Sequence, residues 1–325
     1  MSAANRNTTA GVALALQGGG VHGAYAWGVL DRLLEDGLVV GRVCGVSSGG
    51  LLGVMLVQGL VKGGAAGARR EMRRLWERVA QIGGLGTLSN GAVPGAVPGA
   101  VPASGLAGPM DRWMSWGTEI GSTLMWQGME TALRMFSPAQ FNPFNHNPLR
   151  GVIAELMDHD ALCHPAAIPI TVAATDVETG RSVQWGNRAI TVEVLLASCC
   201  LPFVFHAVEI DGRSYWDGGY SGNPPLAPLL RPALPRELVL IRAQPGRRAG
   251  VPNSPAEILN RVNEIACNSV LAAELAALPA RLRVQIYDAD AALAELPLSS
   301  KYLADGGFLN RLFDAGRAAA ALAAA

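Results

Sequence analysis

Lysine is almost missing from this 325-residue chain: of 26 basic residues only Lys62 and Lys301 are lysines, and neither follows a glycine. The Gly-Lys step of a phosphate-cradling Walker loop is therefore absent, and P-loop nucleotide chemistry with it. Charge of either sign is scarce. Charged residues make up 16% of the chain, against roughly a quarter in average globular proteins, and 26 basic side chains cancel 26 acidic ones. No net field steers this surface to nucleic acid or to a strongly anionic membrane. Half the residues are apolar, which excludes a disordered chain or a charge-laced coiled coil. The five cysteines are an odd number without C-x-x-C spacing, and H-E-x-x-H is missing. Reduced thiols, no metal and no cofactor are expected.

No secretory leader is expected either. The first ten residues are polar and the apolar run Val12 to Leu16 is too short for one, so a cytoplasmic chain is expected, at most peripheral to a membrane. Val43 to Val61 is nineteen residues without a charge, but it holds five glycines and two adjacent serines. It reads as a strand, a turn and a buried helix rather than a membrane span.

What is present is a repeated strand, glycine turn and helix. GVALALQGGG runs into VHGAYAWGVLDRLLEDG, and LVVGRVCGV runs through Ser-Ser-Gly-Gly into LLGVMLVQGL. This β-α-β-α start predicts an α/β fold, a mostly parallel central sheet between two helical layers. Residues 69 to 80 read as an exposed helix, and the Gly-Ala-Val-Pro repeat that follows suits only a loop. Met110 to Phe136 reads as a helix carrying three of the seven tryptophans and five of the nine methionines. That face either packs in the core or caps the site and opens at a lipid surface. In the second half IPITVAATD with RSVQW, and HAVEI with RSYWD, read as hairpins; ELVLIRA and RLRVQIYDA are further strands around a helix from about Pro255 to Leu278. The partition is one domain over 1–325 with a helical insertion at about 69–147.

The strongest chemical signal is Gly45-Val46-Ser47-Ser48-Gly49, a G-x-S-x-G between a strand and a helix, the setting of a nucleophile elbow. A sharp turn there forces close backbone approach, so glycines flank a serine that projects alone. The same five residues in a chain with 39 glycines also make an ordinary turn. Gly18-Gly19-Gly20-Val21-His22-Gly23 satisfies the G-x-G-x-x-G of a dinucleotide fold, but that fold wants an acidic residue ending the second strand, where Cys44 to Ser47 stand. Beside a serine turn the run makes better sense as an oxyanion hole.

A serine needs a base. His22, His146, His159 and His164 read as surface or capping residues. His206 lies at a strand start, and Asp176 with His206 gives the order serine, acid, histidine, so a triad is one alternative. Against it, the serine already ends the second strand. The other candidate is Asp217 in Tyr215-Trp216-Asp217-Gly218-Gly219, at the end of an aromatic strand. A carboxylate near its ordinary pKa is a weak base, so it would need desolvation, which burial beside Trp216 would supply. Asp305-Gly306-Gly307 repeats the tripeptide without a preceding strand and reads as a turn.

GGGVHG, GVSSG, ATDVETG ending at Gly180, ASCCLPFVF at 197–205 and DGGYSGNPPL at 217–226 together resemble the patatin-like phospholipase family, in a bacterial branch. The resemblance runs from about residue 12 to 320. It implies a three-layer α/β fold and a Ser-Asp dyad carried by Ser47 and Asp217. It also implies an oxyanion hole at Gly18, Gly19 and Gly20, and no histidine in the mechanism. Many members have Arg or Lys where this chain has His22, and the Gly-Ala-Val-Pro repeat is unlike the family. The expectation is a serine acyl hydrolase of phospholipid or other acyl esters with transient membrane-surface contact. A non-catalytic lipid-binding or dinucleotide-binding module is the alternative of another class.

Overall fold

The computed structural model describes residues 11–89, 137–293, 296, 300–301 and 304–324. The Gly-Ala-Val-Pro repeat and the Met110 to Phe136 stretch, with its expected cap, lie outside the described residues.

Strands β1 (Val12–Leu16), β2 (Val40–Val46), β3 (Ile170–Asp176), β4 (Ser182–Gly186), β5 (Val208–Ile210), β6 (Arg213–Asp217), β7 (Glu237–Ile241) and β8 (Arg283–Tyr287) form one sheet. Its order is β5-β6-β3-β2-β1-β7-β8, with β4 paired to β3. From β3 to β8 every pair is parallel; β4, β5 and β6 join as antiparallel hairpins. The sheet is therefore mostly parallel, as the alternating strand and helix pattern implies.

Strand alternation makes the layers, because successive side chains point to opposite faces. Leu14, Leu16, Val43, Val239 and Ile241 face a large core that contains helices α1 (Gly23–Glu35), α2 (Ser48–Ser89), α3 (Leu149–Leu156), α4 (Val192–Ser198) and α6 (Gly306–Ala324). Ala13, Ala15, Cys44, Leu238 and Leu240 face a smaller core with Leu271 of α5 (Pro255–Ala276) and the turn Ala227–Leu230. Five aliphatic side chains of β1, β2 and β7 on one face, against alanines and a cysteine among those on the other, explain the unequal layers.

Two expectations need correction. Residues 69–80 are not an exposed helix: α2 bends at Gly63–Gly64, where Gly64 has φ 58°, and its second arm buries Met72, Leu75 and Trp76 in the main core. The two arms meet at small residues, where a Cβ on Gly67 would lie 2.2 Å from the Gly59 carbonyl. The first arm continues the apolar run from Val43, which resolves into strand, turn and buried helix. Ser48–Ile82 is long and apolar enough to cross a membrane on paper, but it is the bent helix, its apolar window mostly buried inside the fold. Secondly, His22 is no surface residue; it is fully buried.

β3 organises the neighbourhood of interest. Thr171 to Ala173 pair with both β2 and β4, and Ala174 and Thr175 pair with both β4 and β6. A strand has two edges, so β4 fills one and β2 and β6 share the other. Val46 sits opposite Ala173 and Asp217 opposite Ala174. The end of β2 and the end of β6 therefore meet head to head along one edge of β3.

Candidate active site

Ser47 is the first residue past that meeting point. It is one of three non-glycine residues at positive φ among the described residues, at 54°, a conformation that costs an L-residue about 1–2 kcal/mol. Packing over-determines it. A Cβ on Gly45 would lie 2.4 Å from the Gly49 carbonyl, and one on Gly49 would lie 2.3 Å from that of Leu16, so only glycine fits on either side. The Ser47 amide donates to Ser198 Oγ at 2.8 Å, and that hydroxyl donates to the Ala173 carbonyl at 2.7 Å. Ser198 thus ties the turn to β3. Helix α2 starts at the next residue, with its amide-rich end toward Ser47.

Asp217 is only 6% exposed. Burial drives its pKa up to about 6, while the Gly219 amide, the Ser47 hydroxyl and the Lys301 ammonium each hold it lower. The Gly219 amide donates to Oδ1 at 2.8 Å. Its backbone is fixed on both sides: the amide donates to the Cys200 carbonyl at 2.7 Å and the carbonyl accepts from Thr175 Oγ1 at 2.8 Å. The neighbouring Gly218 has no room for a Cβ, which would stand 2.3 Å from the Ala173 carbonyl. Trp216 does not supply the desolvation, since adjacent strand residues project to opposite faces. Among the groups that feel the Asp217 charge are Cys199, Cys200 and Cys267, whose thiols burial itself pushes up. The Ser47 hydroxyl also reaches the Cys199 thiol, holding its pKa lower.

The glycine run lies directly over this pair. A Cβ on Gly18 would be 2.7 Å from the Ser47 Cβ, and one on Gly19 would be 2.4 Å from the Ala243 carbonyl. Gly18 donates its amide to Asn223 Oδ1 at 2.7 Å, and its carbonyl accepts from Asn223 Nδ2 at 3.3 Å and Gln244 Nε2 at 3.0 Å. The Gly19 amide donates to Ser48 Oγ at 3.1 Å. Gly20, with φ 61°, begins a 3-10 turn Gly20–His22. Gln17, at the end of β1, accepts from the Ala243 and Gln244 amides and donates to Asn268, locking the loop to β7 and α5.

Ser47, Asp217 and Gly18 to Gly20 are thus brought together from three separate elements. His206 and Asp176 are not. His206 Nε2 pairs with the Asn142 carbonyl at 2.9 Å, and the Asp176 carboxylate caps its own turn through Thr179 and meets Arg213 at 3.4 Å. Asp305 accepts from the Phe308 amide and starts α6, as a turn residue. Ser198, Asn223, Gln244 and Thr175 support the site without having been singled out. Ser198, Asn223 and Thr175 stand inside ASCCLPFVF, DGGYSGNPPL and ATDVETG, and that is their only mark in the sequence. Among the described residues no cluster of three metal-ligating side chains occurs.

The chain is similar to known proteins. The chain is 36% identical over 100 residues to NTE family proteins of Mycobacterium bovis and Mycobacterium tuberculosis. That match covers 29% of this chain and only 27% of each relative's length. Among solved structures it is similar to VipD from Legionella pneumophila, with 12% identity and a TM-score of 0.39 over 94% of this chain and 67% of that one. It is also similar to a chain of the SpcU complex with ExoU from the type III secretion system of Pseudomonas aeruginosa. There the identity is 14% and the TM-score 0.30, over 93% of this chain and 53% of the other. A family model described as patatin-like phospholipase matches residues 14–230, well over half of the chain and inclusive of Ser47 and Asp217. The chain belongs to the patatin-like phospholipase family.

Proposed function

We propose that this chain is a serine lipid acyl hydrolase in which Ser47 is the nucleophile and Asp217 its base. One observation carries the reading: β2 and β6 end against each other on one edge of β3, which sets the Asp217 carboxyl beside a serine held at φ 54°. Ser47 Oγ attacks the ester carbonyl as Asp217 takes its proton. The tetrahedral oxyanion forms under the Gly18 to Gly20 run. Its collapse breaks the bond to the leaving alcohol, which receives the proton from Asp217. Water, deprotonated by the same carboxylate, then attacks the acyl-serine, and the fatty acid leaves as Asp217 returns that proton to Ser47 Oγ. A base must be ionised at the working pH yet avid for a proton, and a carboxyl at about 6 is suited to both near neutrality.

In the free protein the Gly18 and Gly19 amides are held by Asn223 and Ser48. We assign Asn223 to keeping the loop in shape, and Ser48 Oγ to yielding its amide when the oxyanion forms. Bulk at Gly19 is a poor probe of this role, since the Ala243 carbonyl leaves no space for it. The substrate class is a phospholipid or other acyl ester.

The test is fatty-acid release by the purified protein from a panel of phospholipids, neutral glycerolipids and a short soluble ester. Release from at least one lipid class, lost in both Ser47→Ala and Asp217→Asn, supports the reading. Lipid binding without release from any class would make the chain a non-catalytic lipid-binding module.

A further inference from the structure

One of the chain's two lysines is buried where an ammonium has no ordinary reason to be. Lys301 is 7% exposed, and its Nζ is sealed from solvent without a hydrogen-bond partner among the described residues. It lies beyond residue 230, where the family model stops. Its backbone braces the glycine run: a Cβ on Gly20 would be 2.5 Å from the Lys301 carbonyl, and the adjacent Ser300 Oγ pairs with His22 Nε2 at 2.8 Å. Burying an uncompensated ammonium is expensive, so some nearby anion must answer it.

The surrounding charges identify that anion. Glu264 of α5 is completely buried but already holds Arg248 at 2.9 Å and Arg261 at 3.3 Å. Asp217 takes part in no ion pair among the described residues, its carboxylate holding only the Gly219 amide and facing Ser47. Glu264 is thus shared among cations, and Lys301 and Asp217 are each left without a direct ionic partner among the described residues. They reach the same place, for Cys267 of α5 feels both; burial lowers the Lys301 pKa, Glu264 first and then Cys267 and Asp217 hold it up, and Lys301 in turn holds the Asp217 pKa lower.

We propose that Lys301 is a positioning residue, a buried counter-ion under the glycine run that keeps the Asp217 carboxylate ionised and ready to take the Ser47 proton. This rests on the Ser47–Asp217 reading and adds a residue to it. The other groups facing the pair do not compete for the role. His22 on the glycine turn is held neutral by burial, and then by Lys301 and Arg248, its pKa down to about 3. Burial keeps the thiols of Cys200 and Cys267 protonated up to about 12 and about 11, and that of Cys199 well above its usual value. Arg248 and Arg261 are occupied by Glu264.

The sign follows directly. Without the ammonium, the charged carboxylate loses a cation that holds it ionised, the Asp217 pKa rises, and the base is protonated at pH values where the native enzyme works. The experiment is the pH profile of kcat/KM on a short soluble ester for the full chain, Lys301→Met, Lys301→Gln and Asp217→Asn, with melting temperatures for each. In both Lys301 variants the acidic limb moves up by roughly one pH unit, the scale of one charge at an effective dielectric near 20. The loss is about tenfold at pH 5 and shrinks as pH rises. Melting temperatures hold or rise, since an unpartnered buried charge has been removed. An unmoved limb, or a loss equal at every pH with a fall in melting temperature, overturns the role of Lys301 while an inactive Asp217→Asn leaves the dyad standing. A normally active Asp217→Asn overturns the dyad itself, and this inference with it.

Discussion

Two buried aspartates show how differently the same side chain is treated in this fold. Asp31 on α1 is 2% exposed and accepts from Arg69 at 2.8 and 3.1 Å and from Arg317, while Glu35, one turn on, shares the Arg69 Nη2 and takes the other arm of Arg317. That cluster ties α1 to the second arm of α2 and to α6. Asp217 is 6% exposed and has one amide, one serine and a lysine out of bonding reach. A carboxylate saturated by two guanidiniums is a fixed strut. One left mainly to a hydroxyl stays basic, at a cost to the stability of the fold.

Removing each charge separates the two roles. Asp217→Asn should lower kcat/KM by about a thousandfold or more, as losing one member of a unit does. It should also stabilise the protein at neutral pH. The folded-state pKa of Asp217 lies above its ordinary value of 3.8, at about 6, so the native state binds the extra proton across that window. Wild-type stability therefore falls as pH rises through it, and above it the buried charge costs on the order of 3 kcal/mol. Thermal melts at pH 4 and pH 8 check this, with the variant's advantage appearing only at pH 8. Asp31→Asn should do the reverse, destabilising by about 3 kcal/mol because two arginines lose their partner, with kcat/KM within a few-fold of native in the surviving folded fraction. If Asp31→Asn loses activity without stability, the distinction between strut and base breaks down.

Asn223→Ala sharpens the comparison on the loop side. The Gly18 amide would lose its acceptor, and kcat should fall roughly ten- to a hundredfold through misplacement of the oxyanion donors, with little change in KM. A rise in KM alone would instead make Asn223 a substrate contact. The smallest expected effect is at His206, whose ring serves the Asn142 carbonyl: His206→Ala should stay within about threefold of native kcat/KM.

The same contrast marks what the sequence makes legible. Strand alternation and two short hairpin turns, Glu178 to Gly180 and Asp211–Gly212, are local, and the sheet follows from them. Ser47 and Asp217 are visible because each ends a strand among glycines. The burial of residues 69–80 is not, because four arginines (Arg69, Arg70, Arg73 and Arg74) mask Met72, Leu75 and Trp76, and only the packed sheet selects which side of the helix is covered. Ser198 and Asn223 work across 151 and 205 residues of chain, and no spacing rule reaches that far. Lys301 carries one faint mark, its rarity; the burial that gives it meaning is a property of the closed fold alone. His22 misleads for the same reason: a glycine turn reads as surface until Ser300 closes over it.

The central claim is that Ser47 is activated by Asp217. The most direct measurement is the rate at which a fluorophosphonate labels the protein from pH 4 to 9, with the modified residue located by peptide mass. The account predicts a single label on Ser47, a rate rising with a midpoint near pH 6, and no appreciable label in Asp217→Asn. Labelling of Asp217→Asn at the native rate, or its abolition by His206→Ala in a folded protein, would contradict it.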